Sequence, residues 1–376
     1  MVAKTSPITP SVLEWGLHQD GRSSSAVASA MGVDRAEFDR WLSGDARPTT
    51  GQVSDLARLL SRPRAFFFLP APPSNGAVPD AFRHPPGSGH LTVAPEVLKE
   101  ARRAKRVQLA IAATVDSSPN VPRAAVDERP SVAAARAREW VGIPTSATWR
   151  DDYEALRWWK AALEAVGVLV FELQLGKDSV RGFAGWDERA PMIVINSSGV
   201  TPAARIYTIG HELAHLLLRE ATACIEPPGT ALSVDTRTET WCERFAAAFL
   251  MPAPSVRSLM RDLRVDRGGA TLATVKTMMT TFRVSARAAA ARLADLGFAD
   301  AGLYPAVLKV FQVKSGASTR TPRNPPRHRM RLRQYGENTV TRVFNSLPPD
   351  DALSVLRLTV DDARAMADEV PGVPAL

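Results

Sequence analysis

The fifteen residues Ala204-Arg205-Ile206-Tyr207-Thr208-Ile209-Gly210-His211-Glu212-Leu213-Ala214-His215-Leu216-Leu217-Leu218 decide how this chain is read. On a helix, His211 and His215 stand one turn apart on the same face, so two imidazole nitrogens can reach one Zn²⁺. Glu212 then points beside the metal, where a carboxylate can hold a water. The flanking Ile206, Ile209, Leu213, Leu216, Leu217 and Leu218 make the helix strongly apolar. Two imidazoles buried there with no ligand would leave polar atoms costing roughly a few kcal/mol. A pair of satisfied core histidines is therefore the weaker reading.

A catalytic zinc takes three protein ligands and keeps one position open, so a third donor must come from elsewhere in the chain. The next helical run offers Glu239, Cys242 and Glu243, with Ala246, Ala247 and Leu250 as the apolar continuation that packs on the first helix. Glu239 and Glu243 are four residues apart and share a face, so one can ligate while the other holds a histidine's second nitrogen. Either also reads as an ordinary solvated carboxylate. Cys242 reads as a small core residue before it reads as a ligand.

Outward from this pair the periodicity changes. Val168–Leu173 (VLVFEL) and Pro191–Asn196 (PMIVIN) are short β-branched runs on either side of a turn-rich stretch, consistent with a small antiparallel sheet. Amphipathic helices precede it in the run Thr145–Gly167 and follow it from residue 256 to a stop at Gly297. Near the N-terminus, apolar positions recur at helical spacing through Val12, Leu13, Trp15 and Leu17, then Val27, Ala28 and Met31, then Phe38, Trp41 and Leu42. Gly32 is placed to end one helix and Asp34 to cap the next, a spacing that resembles a helix-turn-helix. Pro and Gly break all periodicity over residues 72–92. From Lys314 to Arg333 there are seven Lys or Arg residues and no acid, among prolines, which reads as a solvated basic linker.

The run ARIYTIGHELAHLLL (204–218), preceded by PMIVINSS and followed by ETWCERFAAAFLMP (239–252), resembles the ImmA/IrrE family of zinc metallo-endopeptidases. The resemblance covers roughly residues 150–300 and implies a zincin-like domain. It implies that Glu239 is the third ligand beside His211 and His215, and that Glu212 is the general base. Glu243 stands where that family usually has Asn or Asp, and is a candidate for supporting the ligands from behind. The segment ITPSVLEWG through FFFLPAPP is similar to Xre-type helix-turn-helix domains fused in front of such peptidases. If this module meets DNA, the reading helix is Asp34–Leu42, with Arg22, Ser23, Ser25, Arg35 and Arg40 as the candidate contacts. That helix carries Asp34, Glu37 and Asp39 against Arg35 and Arg40, an unfavourable balance beside phosphates, so docking a protein or a second copy of itself stays open.

The expected fold is thus α+β and mostly helical: an all-α helix-turn-helix domain, then a zincin-like domain with a small antiparallel sheet, then a helical C-terminal extension. The expected boundaries are 1–72 for the first domain, 73–150 for a linker and helical segment, and 151–300 for the peptidase domain. A basic Pro-rich linker over 301–333 and a helical tail over 334–376 follow. The strand Pro191–Asn196 is expected to pair with an extended substrate.

Composition narrows the remaining choices. The chain has 376 residues, 45% of them hydrophobic and 23% charged, which suits globular domains and excludes a fibrous or wholly disordered protein. Two cysteines, Cys224 and Cys242, make no disulfide framework, so a reducing compartment, the cytoplasm, is expected. The N-terminal MVAKTSPITPSVLEWG lacks the apolar core of a signal peptide, and AFFFLPAP and FAAAFLMPAP are too short to span a bilayer. The net charge of +8 favours an acidic partner such as nucleic acid without requiring one. The expected cofactor is Zn²⁺. The resemblance implies a protein substrate, a helix-turn-helix repressor cut in a phage, mobile-element or stress response. The rival reading is a non-catalytic antitoxin or autorepressor paired with a toxin such as a PIN-type ribonuclease.

Overall fold

The computed structural model describes residues 5–73, 94–144, 147–177, 180–219, 236–311 and 325–374. Cys224, Lys314, Arg320, Arg323 and the stretch after the FFFLPAPP exit lie outside the described residues. The described residues form two compact units, one of residues 5–73 and 94–105 and a second from 106 onward.

The first unit is entirely helical: α1 (Pro10–Asp20), α2 (Ser24–Met31), α3 (Arg35–Ser43), α4 (Thr50–Leu59), a 3₁₀ turn at Arg64–Phe68, and the first part of α5 (Pro95–Ala112). Each start has a local cause. Ser23 accepts from Ala26 N, Asp34 from Ala36 N and Glu37 N, and Thr49 forms a reciprocal capping box with Gln52. Gly32 closes α2 at φ 65°, a left-handed conformation that a side chain would strain, and Val33-Asp34 turns directly into α3. The core is Val12, Leu13, Val27, Ala28, Phe38, Trp41, Val53, Leu56, Leu60 and Phe67. Val12, Leu13, Val27, Ala28, Phe38 and Trp41 among them are positions of the helical periodicity, while Trp15, Met31 and Leu42 are only partly buried against it.

The second unit continues with α6 (Pro130–Val141), α7 (Asp152–Ala165), β1 (Leu169–Leu173), β2 (Gly182–Gly185), β3 (Met192–Asn196), α8 (Pro202–Leu218) and α9 (Thr236–Leu250). α10 (Ala253–Asp262), α11 (Leu272–Phe282), α12 (Ala286–Asp295), α13 (Leu303–Val310), α14 (Arg327–Tyr335), α15 (Glu337–Ser346), α16 (Pro349–Leu356) and α17 (Val360–Ala367) complete it. The class is α+β and mostly helical, as expected.

The sheet corrects the sequence reading. It is mixed, in the order β1-β3-β2, with β1 parallel to β3 and β2 antiparallel to β3. The turn-rich stretch between the two apolar runs itself contains β2, whose Gly-Phe-Ala-Gly has no alternation for a pattern to catch. The hairpin is therefore β2–β3, turned by Asp187, whose carboxylate accepts from Arg189 N and Ala190 N. β3 is buried along its whole length and paired on both edges, so the expected pairing of Pro191–Asn196 with a substrate is ruled out. Asn196, at the end of β3, organises the β1–β2 connection. Its Nδ2 donates to Gly176 O and Val180 O, and its Oδ1 accepts from Leu175 N and Ser198 N.

The stretch read as a linker also differs. α13 buries Leu303 and Val307 in the core, and Arg327, Arg329, Arg331 and Arg333 lie on α14. α14 packs on β1, where Tyr335 meets Phe171 edge to face at 5.0 Å, and it pairs with the C-terminal acids through Arg327–Asp362 and Arg329–Glu369. Pattern reading misses this because arginine-rich helices hide their few anchoring residues among charges.

Candidate metal centre

α8 is held at both ends. Thr201 caps its first turn by accepting from Ala204 N, and Arg205 reaches Glu172 on β1, which also pairs with Lys160 of α7. At the other end Arg219 donates to Val121 O. Behind the helix, Ile206, Ile209, Leu213, Leu216 and Leu217 are buried in the same core as Trp159, Ile193, Ile195, Trp241 and Phe245. The register of the histidines is set by this packing.

α9 lies against α8 at Gly210, where a Cβ would stand 3.4 Å from the Ala246 Cβ, in ordinary van der Waals contact. That approach brings the first turn of α9 to the histidines. Nε2 of His211 and Nε2 of His215 are 3.2 Å apart. The Glu239 carboxylate spans them, with Oε2 at 3.2 Å from His211 Nε2 and Oε1 at 3.3 Å from His215 Nε2. One ligand atom from each of the three residues lies within 4.8 Å of the others, a cluster able to hold a metal ion.

The donor set fits zinc. Two imidazoles and one carboxylate are a usual catalytic complement, and both histidines are buried. Burial works against ionisation of Glu239, but hydrogen bonds from His211 and His215 outweigh it and hold the carboxyl well below its usual range, so it stands as an anionic donor. Burial opposes a proton on His215, and Cys242, Glu239 and Glu212 around it raise its pKa on balance. Burial pushes the Cys242 thiol up, so it stays protonated, and its Sγ lies 3.8 Å from His215 Nδ1, on the ring edge away from the cluster.

The two candidate acids of α9 are thus separated by position. Glu239 faces the Nε2 atoms, whereas Glu243 Oε1 lies 3.5 Å from His211 Nδ1 on the other side of the ring. Glu212 is buried beside the cluster and outside the three converging donors. β2 passes over it closely: a Cβ on Gly182 would stand 3.3 Å from Glu212 Oε1.

Residues 163–294 match the Peptidase_M78 family, described as the IrrE N-terminal-like domain. The match covers about a third of the chain and includes the three strands, α8, α9 and every residue of the metal cluster. M78 is a metallopeptidase family, and its domain is the one the HELAH helix and the ETWCERF helix resemble. No curated protein matches the chain significantly.

Sequence reasoning missed two contributors to the M78-like site. Tyr207 precedes His211 by one helical turn, a spacing that could have pointed to it, and its hydroxyl lies 2.8 Å from Glu243 Oε2. Gly182 carried no signal, since its role is to let β2 approach α8.

The nucleic-acid candidates belong to the other unit. Arg22 pairs with the buried Asp20 and donates to Leu59 O, Ser23 is the α2 cap, and Ser25 Oγ lies 2.9 Å from Ser23 Oγ. On α3, Arg35 pairs with Asp39 and Arg40 is exposed. Arg22 is thereby engaged in holding its own fold.

Proposed function

We propose that this protein is a regulatory zinc-dependent endopeptidase whose substrate is a protein, specifically a helix-turn-helix repressor. The observation that carries the reading is the convergence of His211 Nε2, His215 Nε2 and the Glu239 carboxylate, with Glu212 buried beside them and left out of the cluster. A bound zinc ion would supply Lewis acidity, polarising the scissile carbonyl and bringing the pKa of water to about 7. His211, His215 and Glu239 hold the ion. Glu212 takes the proton of the attacking water and returns it to the leaving amine. Gly182 and Ala184 direct their main-chain groups away from β3, since the antiparallel pairing uses Arg181 O and alternate residues from there. An extended peptide adds to that outer edge of β2, beside Glu212.

No helix among the described residues is long and apolar enough to cross a membrane. The buried free thiol of Cys242 suits a reducing compartment, and we place the reaction in the cytoplasm. α2 and α3 form the part that would meet an operator, with the exposed Arg35 and Arg40 as its cations.

The test is co-expression of wild type or Glu212→Gln with a candidate helix-turn-helix repressor. Cleavage of the repressor by wild type alone supports the peptidase. Equal repressor levels and equal cell phenotypes for both would reject catalysis and favour a non-catalytic regulator paired with a toxin.

A further inference from the structure

We propose that Tyr207 is a positioning residue of the metal centre: its hydroxyl tethers Glu243, and Glu243 in turn holds the Nδ1 edge of His211. The inference rests on the metal reading above. α8 and α9 run antiparallel here, so Tyr207, His211 and His215 at four-residue spacing meet Glu243 and Glu239 in reverse order. Zinc-binding imidazoles need the far nitrogen held by an acceptor, which fixes the tautomer and makes the ligating nitrogen more basic.

Facing His211 Nδ1 is Glu243 Oε1, at 3.5 Å: within ion-pair reach, with no hydrogen bond formed at this distance. Glu243 is a weak support by itself, because its side chain is 46% exposed and a long exposed carboxylate samples many rotamers. Tyr207 removes that freedom. Its Oη lies 2.8 Å from Glu243 Oε2 and 3.0 Å from the main-chain carbonyl of the same residue, so its proton is shared between side chain and backbone of one residue. One carboxylate oxygen is thereby anchored and the other turned to the imidazole. His215 has a different neighbour at Nδ1, the buried Cys242 thiol, a weak hydrogen-bonding group. The anionic support falls on His211, and it passes through Tyr207.

Tyr207→Phe removes only the hydroxyl. The full chain, wild type and variant, is titrated with zinc in competition with a chromophoric chelator. The expected result is an affinity weaker by about 10- to 100-fold, a changed d–d absorption for the cobalt-substituted protein, and an unchanged melting midpoint for the metal-stripped protein. Glu243→Gln should lose a similar factor, and adding Tyr207→Phe to it should cost nothing more. Unchanged affinity in Tyr207→Phe, with the wild type binding one zinc, overturns the tether and leaves the metal reading standing. Losses that add in the double variant, or a lowered midpoint of the metal-stripped variant, also overturn it, the latter by assigning Tyr207 to stability alone. If the wild type binds no zinc, the metal reading fails and the tether fails with it.

Discussion

Three residues at the site are separable by substitution. Glu212→Gln keeps the size and burial of the side chain but removes the base, so zinc content by elemental analysis should stay at that of wild type. Peptide hydrolysis should fall by about 10²- to 10⁴-fold. Glu239→Gln should behave differently, losing metal first, because its carboxylate spans both Nε2 atoms and its anionic charge is part of the donor set. Retained stoichiometric zinc in Glu239→Gln would remove it from the ligands. At Gly182 the constraint is steric: a Cβ would come within 2.5 Å of Val194 O and 2.6 Å of Thr208 Cγ2. Gly182→Ala must therefore push β2 away from α8, with an expected cost of about 1–3 kcal/mol by urea denaturation. An unchanged urea midpoint would show that the strand yields freely.

Among the elements, α9 depends on help from outside itself. Its last carbonyls are taken by two guanidinium groups, Arg138 Nη1 donating to Phe249 O at 2.7 Å and Arg292 Nε to Met251 O at 3.0 Å. Cations at this end also complement the helix dipole. Burial lowers Arg138 to about 10 and lowers Arg292 as well, and at neutral pH Arg138 keeps its charge. Replacing Arg292 with Met should cost about 1.5–3 kcal/mol in denaturant unfolding, the range for a hydrogen bond to a charged group. A loss below half a kcal/mol would mean that solvent replaces the bond. On α3 Arg35 and Arg40 are both exposed, and Arg35 is paired with Asp39. If α3 meets DNA as proposed, Arg40→Ala should weaken that binding and shrink the slope of log affinity against log salt by about one. Equal slopes for wild type and variant would take Arg40 off the phosphates.

At the scale of the second unit, Glu164 links α7 to the C-terminal helices and makes their association depend on pH. Its Oε1 is covered and would lie 3.2 Å from a Cβ on Gly336, the residue joining α14 to α15. Burial raises its pKa to about 7, with Lys160 and Arg342 only partly offsetting it. A carboxyl raised on folding binds its proton more tightly in the folded state. The stability this confers is full below the unfolded pKa and declines as pH rises from about 4.5 through about 7. The decline should be on the order of 3–4 kcal/mol, at about 1.4 kcal/mol per pH unit between those two values. Glu164→Gln should therefore gain on wild type steadily across that window, read as the difference between their urea midpoints at each pH. Parallel profiles would show that the carboxyl is solvated in both states.

The sequence by itself determined what local spacing encodes. His211 and His215 at one helical turn, the apolar stripe behind them, Asp34 and Gly32 at the ends of their helices, and the helical periodicity of the first unit all act over a few residues, so they are legible without contacts. Tertiary structure decided the rest. Glu239 and Glu243 share one face of a helical wheel, and only the packing of α9 on α8 turns one to Nε2 and the other to Nδ1. β1 and β3 have the same apolar pattern whether parallel or antiparallel; their direction is set in the packed sheet, where β2 pairs antiparallel to β3 and places Gly182 against Thr208 and Glu212. The basic helix α14 reads as linker until Tyr335 finds Phe171. In each case the choice lies in a contact between residues far apart in the chain, whose free energy appears only after the elements have packed.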